Sequence, residues 1–478
     1  MRDPALIAAL PVRGKKIAVL GLARSGLVTA EALRAAGAEV LAWDDGSAGR
    51  ERGDTAGLTL ADLSTCEPLD WSALVMSPGI PLTHPAPHPA AARARAAGIE
   101  IIGDIELLAR ANEAGSPPSE RAAFIGITGT NGKSTTTSLI GHILTQGGRP
   151  TAVGGNLGVP VLSLPKLGPD GQYVIELSSF QLDLVTSLRA DIGILLNLSP
   201  DHLDRHGDMA GYIAVKERLF AHQQPGDAAI VAVDDEHTSA LAERLAGGAR
   251  HLIRVSSERE LPGGVYVRDG WLIDDLDGEA VPVMDLASAA ALPGAHNHQN
   301  AAAAYAACRH RGLARGQIAE GIRTFPGLAH RQELVASLDG IQFINDSKAT
   351  NADAAAKALG CYERIYWIAG GRAKAGGIST LAPYFPRLAH AFLIGEAAAE
   401  FAETLEGKVE TTLSGTLDTA LRQAADMAAT QGEPAVVLLS PACASYDQFS
   451  GFEARGDAFR TLSLRLTGTG APAGDAAE

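Results

Sequence analysis

A glycine-rich turn at residues 126–134 constrains this chain more than any other stretch: it reads Gly-Ile-Thr-Gly-Thr-Asn-Gly-Lys-Ser and is followed by three threonines. The apolar run at residues 123–127 predicts a short buried strand, and residues 134–144 predict a helix. The glycines then fall on a strand-to-helix turn, where backbone N–H groups surround phosphate oxygens. We therefore expect an α/β unit that grips a nucleoside triphosphate.

Lys133 and Ser134 supply the chemistry that such a turn needs. The lysine reaches the terminal phosphates, and the serine hydroxyl ligates Mg²⁺. The usual pattern G-x-x-x-x-G-K-[ST] has glycine where this chain has Ile127. A glycine turn that happens to precede Lys-Ser is the alternative, which a Gly-Lys-Ser triplet at a strand–helix junction disfavours.

Length and charge narrow the classes of protein further. A chain of 478 residues exceeds what one hydrophobic core usually organises, so two or three domains are expected, and we favour three. The net charge of −15 argues against nucleic-acid and membrane-surface partners. No two of the four cysteines form a C-x-x-C pair, and no leader or membrane-length apolar run is apparent. We expect a soluble cytoplasmic protein without membrane insertion.

The first predicted domain, residues 1–112, begins with a βαβ pattern that ends at Asp44. Its first turn approximates G-x-G-x-x-G, but Ala23 replaces the middle glycine, which weakens a dehydrogenase interpretation. Asp44 could accept from a ribose or a base, and a plain α/β turn with a solvated carboxylate is the alternative. A strand at residues 73–76 ends at Gly79, where open α/β sheets place ligands.

The second predicted domain, residues 113–327, starts with a linker-like segment and the phosphate turn. Strands predicted at residues 173–177 and 192–198 lead into Glu176 and His202. These strand ends should lie beside the phosphate turn, so both side chains could face the same Mg²⁺. A solvated glutamate and a packed histidine are the alternatives.

A helix predicted at residues 209–220 carries Lys216. The simplest interpretation of Lys216 is a lysine on the protein surface. Short strands with Gly and Asp turns follow between residues 249 and 283. Asn297 and Asn300 then share one face of an alanine-rich helix and could both point at a ligand. A helix cap is the alternative for one of them.

The third predicted domain, residues 328–478, again alternates strands and helices, with a flexible tail from about residue 467. Strands are predicted at residues 342–345, 364–369, 391–394 and 435–439. Three of these strand ends carry charged and small residues, in segments 346–351, 370–374 and 440–449. Such side chains at one edge of a sheet are typical of a substrate crevice.

Together these motifs resemble the Mur ligases, in particular their glutamate-adding branch. The resemblance rests on Thr128-Gly129-Thr130-Asn131-Gly132-Lys133-Ser134-Thr135, on residues 176–182 and 201–205, and on residues 345–351 and 440–449 with Phe452-Glu453. It implies three α/β domains: a Rossmann-like UDP-binding domain, a phosphate-loop ATPase and a Rossmann-like glutamate-binding domain. It also implies an ATP- and Mg²⁺-dependent amide ligase, with two metal sites, that acts as a monomer on UDP-N-acetylmuramoyl-L-alanine and glutamate.

The same resemblance implies roles for individual residues. Catalysis falls to Lys133, Glu176, His202 and Lys216. ATP binding falls to Gly129, Thr130, Asn131, Gly132, Lys133, Ser134, Thr135, Asn297, Asn300, Arg331, Asp346 and Lys348. The UDP-substrate would contact Ser25, Asp44, Gly79, Asn156 and His202, and glutamate would contact Thr350, Lys374, Ser445 and Phe452. The metal ligands would be Ser134, Glu176, His202 and Lys216, the last as a carbamate.

Three other functions stay open at this stage. A related ligase could add another amino acid, and the pocket residues do not fix whether the glutamate is D or L. A regulatory nucleotide-binding module would need only the second region, so the charged strand ends of the third region argue against it. A dehydrogenase is disfavoured by Ala23.

Overall fold

The computed structural model describes residues 3–67, 70–114, 120–373 and 376–468 and contains three β-sheets that succeed one another along the chain. The first sheet has five parallel strands in the order β3-β2-β1-β4-β5. Its strands are β1 (Lys16–Leu20), β2 (Glu39–Trp43), β3 (Thr59–Leu60), β4 (Ala73–Met76) and β5 (Glu100–Ile102). The accompanying helices are α1 (Pro4–Ala9), α2 (Arg24–Ala35), α3 (Ser47–Thr55), α4 (Pro89–Ala96) and α5 (Asp104–Glu113).

Both faces of this first sheet are covered. Along β1, Ile17 and Val19 join one apolar cluster, whereas Ala18 and Leu20 join another on the opposite face. A strand that is buried on both sides reads as a continuous apolar run, which explains the sequence of β1. The strand order reverses between β1 and β4, and the crevice at such a reversal is where open α/β sheets bind ligands.

The second sheet has nine strands in the order β14-β13-β12-β11-β10-β9-β6-β8-β7, and within it only β13 runs opposite to the other described strands. The strands are β6 (Ala123–Thr128), β7 (Thr151–Gly155), β8 (Gln172–Glu176), β9 (Ile192–Leu195), β10 (Ala228–Ala232), β11 (His251–Ser256), β12 (Val265–Arg268), β13 (Trp271–Asp274) and β14 (Val281–Asp285). The helices are α6 (Lys133–Gln146), α7 (Ser179–Leu182), α8 (Leu203–His206), α9 (Met209–Glu217), α10 (Glu236–Leu245), α11 (Ala295–His310) and α12 (Arg315–Arg323). Strand β6, which feeds the glycine-rich turn, lies between β9 and β8 and is buried throughout.

The third sheet has six strands in the order β15-β16-β20-β17-β18-β19. They are β15 (Glu333–Leu338), β16 (Ile341–Asn345), β17 (Ile365–Gly370), β18 (Leu388–Ile394), β19 (Thr411–Gly415) and β20 (Ala435–Leu439). The helices are α13 (Ala352–Leu359), α14 (Ala398–Leu405), α15 (Leu417–Gln431) and α16 (Phe452–Thr467). Only β15 runs antiparallel to its neighbour, so the carboxyl ends of β16, β17, β18, β19 and β20 share one edge.

The predicted α/β class is confirmed, and several predicted elements differ in extent, two of them beside the glycine-rich turn. The strand predicted at residues 192–198 ends at Leu195, because the Asn197 carbonyl leaves the sheet to accept from the Thr130 N–H. The helix predicted at residues 209–220 tightens to a 3₁₀ turn from Arg218. The last helix ends at Thr467, and the predicted tail beyond residue 468 lies outside the described residues, as does most of the linker predicted near residue 115.

The chain divides into two compact units. One comprises Met1–Ser288 and Asn297–Phe325 and holds the first two sheets; the other comprises Ala289–His296 and Pro326–Glu478 and holds the third. The division into three domains, with its boundary near residue 112, stays a prediction. Within the described ranges, no helix is long and apolar enough to span a bilayer.

Candidate active site

The glycine-rich turn connects β6 to α6. Gly132, which precedes α6, has a φ of 83°, in the left-handed region that favours glycine. A Cβ at this position would lie 2.3 Å from the side-chain oxygen of Asn300, so a larger residue has no room. Ser134 and Thr135 occupy the first turn of α6, where N–H groups and the helix dipole favour an anion. The turn therefore has the geometry of a phosphate cradle.

Lys133 lies over this cradle. Its Nζ donates to the carbonyl oxygens of Gly129 and Thr130, at 2.8 and 2.7 Å. Asn131 is held from the other side, since its N–H donates to the Asn197 side chain at 2.8 Å. The predicted phosphate-binding residues 129–135 thus form one continuous loop and helix start.

Ile127 explains why the turn departs from the usual pattern. It is fully buried in β6 and pairs with Glu176 of β8 and Ile194 of β9. The strand therefore continues through Thr128, and position 127 needs a buried apolar side chain rather than glycine. Glycine occurs instead at Gly126, where a Cβ would lie 2.7 Å from Leu219.

Lys216 is buried, not on the surface: only 1% of it is exposed. Its Nζ donates to the Thr128 hydroxyl at 3.2 Å and to the Gly129 carbonyl at 3.0 Å, and it lies 4.7 Å from the centre of the Tyr212 ring. Burial, and secondarily the positive charge of Lys133, lowers the pKa of Lys216 well below its ordinary value. The amine is thereby poised to be neutral and nucleophilic.

Glu176, at the end of β8, is also buried. Its Oε1 accepts from the Asn156 side chain at 2.7 Å, and the backbone N–H of Asn156 donates to the Glu176 carbonyl. Its other oxygen, Oε2, is buried and has no hydrogen-bond partner among the residues that the structure describes. A buried carboxylate oxygen without a partner is costly, and a cation is the partner that carboxylates accept best in such a place.

His202 follows β9, on the other side of β6 from Glu176. It has a φ of 51°, and 48% of its side chain is exposed. Its ring lies 4.7 Å from that of Phe180 and its Nε2 lies 3.4 Å from Asp201. Glu176 and His202 thus flank the strand that leads into the phosphate cradle.

The donor set fits Mg²⁺, although the side chains alone do not form a complete site. In the part of the chain that the structure describes, no three His, Cys, Asp or Glu side chains cluster as metal ligands. The Ser134 hydroxyl and the unpaired oxygen of Glu176 are hard oxygen donors. A carbamate on Lys216 would add further oxygens of the same kind beside Gly129.

Asn297 and Asn300 are buried on one face of α11, as predicted from their spacing. The Asn300 amide donates to Asn297 at 3.0 Å, and the Thr136 hydroxyl donates to the Asn300 oxygen at 3.2 Å. Asn300 therefore lies directly against the phosphate cradle. Neither residue caps the helix, because α11 begins at Ala295.

The three predicted uridine contacts lie at the carboxyl ends of β1, β2 and β4. Asp44 is not simply solvated: its carboxylate accepts from the N–H groups of Leu22 and Gly46, at 2.6 and 2.8 Å. Gly79 is exposed, with open space where a side chain would be, and Ser25 lies in the first turn of α2 beside the β1–β4 crevice. These positions agree with a ligand at the strand-order reversal.

The third sheet gathers another set of predicted residues at its carboxyl edge. Asp346 follows β16 and is buried, with Oδ2 accepting from Ser440 at 2.7 Å. Lys348 lies 3.8 Å from the centre of the Phe452 ring. Ser445 is buried in the loop after β20, Thr350 follows Lys348, and Arg331 is exposed just before β15. Lys374 lies outside the described residues.

Comparison with known proteins identifies the group to which the chain belongs. The Mur ligase middle domain matches residues 127–308, and the Mur ligase glutamate ligase domain matches residues 330–443. A UDP-N-acetylmuramoylalanine--D-glutamate ligase of Caulobacter vibrioides is 52% identical over 97% of this chain and 99% of its own. The enzyme of the same name from Paramagnetospirillum magneticum is 53% identical over 94% and 96%. The chain belongs to the Mur ligase family.

Solved Mur ligase structures share the fold at low identity. UDP-N-acetylmuramate-alanine ligase MurC from Thermotoga maritima superimposes with a TM-score of 0.56 at 17% identity, covering 95% of this chain and all of that one. MurF from Acinetobacter baumannii gives 0.56 at 19% identity and covers 98% of both chains. Mur ligases are ATP-dependent, so ATP is a substrate of this chain.

Several residues of this Mur ligase site were not singled out by the sequence. Asn197 holds the cradle through Asn131, and Tyr212 shares a hydrogen bond with Thr130 at 3.1 Å. Arg455 is 1% exposed and donates to the carbonyls of Ser347 and Cys443, which joins two loops of the third sheet. The sequence gives no sign that Arg455 is buried, because an arginine in an amphipathic helix is normally exposed. For Asn197, the only sequence signal is its position just before the motif that contains His202.

Proposed function

We propose that this Mur ligase joins D-glutamate to UDP-N-acetylmuramoyl-L-alanine at the expense of ATP. The names of the relatives from Caulobacter vibrioides and Paramagnetospirillum magneticum, which match almost the whole chain, support these substrates. The product would be a precursor of peptidoglycan. We further propose that the enzyme works as a monomer in the cytoplasm.

One observation carries the chemical part of the proposal: the buried amine of Lys216 donates to Gly129 of the phosphate cradle at 3.0 Å. Lys133 binds the same carbonyl at 2.8 Å. Lys133 can oppose the negative charge that accumulates when a phosphoryl group meets a carboxylate, and a carbamate formed on the neutral Lys216 amine would hold a cation that adds to this effect. A plain nucleotide-binding module has no need for the second, buried lysine.

The reaction has two steps. The carboxylate of the UDP-substrate attacks the γ-phosphorus of ATP, which releases ADP and forms an acyl phosphate. The glutamate amine then attacks the acyl carbon, and the tetrahedral intermediate expels phosphate to leave an amide. Orienting the three reactants contributes much of the acceleration, because well-oriented reactants have an activation barrier about 7–11 kcal/mol lower.

ATP binding is assigned to the cradle residues 129–135. Further nucleotide contacts are assigned to Asn297, Asn300, Arg331, Asp346 and Lys348. Glutamate would bind Thr350, Lys374, Ser445 and Phe452. UDP-substrate contacts are assigned to Ser25, Asp44, Gly79, Asn156 and His202.

Two Mg²⁺ ions are proposed, which when bound would neutralise phosphate charge. Ser134 would hold one, and Glu176, His202 and carbamylated Lys216 would attend the other. The unpaired Glu176 oxygen and the lowered pKa of Lys216 support this assignment, because carbamylation requires the neutral amine.

A phosphate-release assay tests the proposal by omission. Release should require ATP, UDP-N-acetylmuramoyl-L-alanine and D-glutamate together, with L-glutamate and diamino acids tested in parallel. Lys133→Ala serves as the inactive control. Phosphate released equally fast without either acceptor or amino acid would refute the ligase assignment, and turnover with another amino acid would redirect it within the family.

A further inference from the structure

Arg205, in α8, connects the second sheet to a turn of the first. Its guanidinium donates to two successive carbonyl oxygens: Nη1 to Gly79 at 2.9 Å and Nη2 to Ile80 at 3.0 Å. The planar fork of arginine suits such a two-point contact, which a lysine cannot reproduce. Arg205 therefore fixes the orientation of the Gly79 turn, not merely its distance from α8.

The same guanidinium lies against Phe180. Its central carbon is 4.5 Å from the centre of that ring, which also contacts the rings of His202, at 4.7 Å, and His206, at 5.6 Å. Arg205, Phe180 and His202 thus form a row that runs from the Gly79 turn to the side of the phosphate cradle. Cation–π and aromatic contacts of this kind are attractive.

His202 lies at the end of this row in a strained conformation. Its φ of 51° is in the left-handed region, which is unfavourable for a non-glycine residue. Such a conformation persists only when its surroundings hold it. The contact with Phe180 is a part of those surroundings, and Arg205 contacts the same ring.

A second contact holds the same segment against α8. Gly207 follows the helix, and a Cβ there would lie 3.3 Å from the imidazole of His84. The chain that leaves the Gly79 turn therefore meets both Arg205 and the end of α8. By contrast, Arg121 forks onto the carboxylate of Asp191 within the core, as expected of an arginine that only builds the fold.

We propose that Arg205 is a positioning residue that couples occupancy of the Gly79 turn by the UDP-substrate to the placement of His202 beside the phosphate cradle. The inference rests on the proposed function, since it deepens the role of that same substrate site. Arg205 acts through the turn and through Phe180 and does not touch the reacting atoms. Substrate binding at the first sheet and the geometry of the second are thereby linked by one side chain.

Three variants test the proposal in the full-length enzyme. Arg205→Ala removes the fork and the ring contact, and Arg205→Lys keeps the charge but not the two-point geometry. Arg34→Lys is the matched control, because Arg34 donates to the successive carbonyls of Ala56 and Gly57 at the opposite edge of the first sheet. Steady-state kinetics should be measured for each of the three substrates, with thermal unfolding as a check on folding.

For Arg205→Ala, the KM for the UDP-substrate should rise about tenfold and kcat should fall, since two charged hydrogen bonds are lost. The KM values for ATP and glutamate should stay within about twofold of the parent enzyme. Arg205→Lys should share this pattern in weaker form, and Arg34→Lys should match the parent.

Equal KM values in the parent and Arg205→Lys, or a parallel rise for all three substrates, would overturn the coupling. If Arg205→Ala fails to fold, Arg205→Lys decides alone. An inactive parent enzyme would instead refute the proposed function, so the two failures are distinguishable.

Discussion

Replacing Asp346 by asparagine should stabilise the third sheet at neutral pH while impairing ATP use. The carboxyl is buried after β16, where Oδ1 accepts from the Gln332 N–H at 3.2 Å and Oδ2 accepts from Ser440 at 2.7 Å. An asparagine fits the same partners, because its oxygen can accept from Gln332 and its amide can donate to the serine oxygen. The substitution therefore removes a charge without removing a contact.

The size of the effect follows from the pKa of Asp346. Burial raises this pKa from 3.8 to about 7, against smaller opposing effects of Ser440 and the Gln332 N–H. Because the folded pKa lies above the unfolded one, stability is complete below the unfolded value and is lost as pH rises towards the folded value. At 1.36 kcal/mol per pKa unit, the raised pKa lowers the stability of the folded state by about 4 kcal/mol at pH 8, where the buried carboxyl is ionised. At pH 5, where the carboxyl ionises only in the unfolded chain, it lowers the stability by about 2 kcal/mol.

Hydrogen exchange of the β16 and β20 amides in the full chain measures this cost locally. Comparing Asp346→Asn with the parent at each pH cancels the intrinsic pH dependence of exchange. The stability advantage of the variant should grow by about 2 kcal/mol between pH 5 and pH 8. An advantage that does not change with pH would refute the assignment of a raised pKa to Asp346.

Three further substitutions address the phosphate cradle. Lys216→Ala should lower phosphate release by on the order of 10²–10³-fold, and small carboxylic acids should restore part of it by replacing the carbamate oxygens; a fully active variant would contradict that role. Lys133→Ala should abolish ATP use while calorimetry shows UDP-substrate binding intact, whereas loss of both would indicate misfolding. Glu176→Gln keeps a hydrogen-bond acceptor for Asn156 but loses the charge, so the Mg²⁺ concentration for half-maximal activity should rise about 10–100-fold; an unchanged Mg²⁺ titration would exclude Glu176 as a ligand.

The sequence predicted those strands whose apolar pattern is strong, and missed others for identifiable reasons. Strands β7 and β10 read Thr-Ala-Val-Gly-Gly and Ala-Ala-Ile-Val-Ala, in which small residues weaken the strand signal. The hairpin of β15 and β16 did carry a signal: Asp339-Gly340 at its turn, with φ values of 50° and 82°. An Asp-Gly pair between two strand-like runs indicates a hairpin, so this dipeptide predicts β15 as the partner of β16.

The sequence predicted those site residues that belong to motifs at strand ends. It did not predict those whose burial or contacts depend on how distant segments pack together. The cradle and Glu176 follow directly from strand ends in a parallel sheet. The burial of Lys216 could not be read from α9, because the helix places the lysine one residue from a glutamate and only the fold covers its amine. Arg205 likewise bonds to carbonyls 125 and 126 positions away in the chain.

The close approach of Gly132 to Asn300 also limits how this gene can be recombined. Most strands of the second sheet lie between these two positions in the sequence. A Cβ on Gly132 would nevertheless overlap the side chain of Asn300. A chimaera with a crossover between α6 and α11 inherits the phosphate cradle with Gly132 from one parent and Asn300, which lies against it, from the other. Segment exchange among relatives should therefore succeed where both parents carry the same pair, and crossovers within residues 133–299 should otherwise yield inactive enzyme.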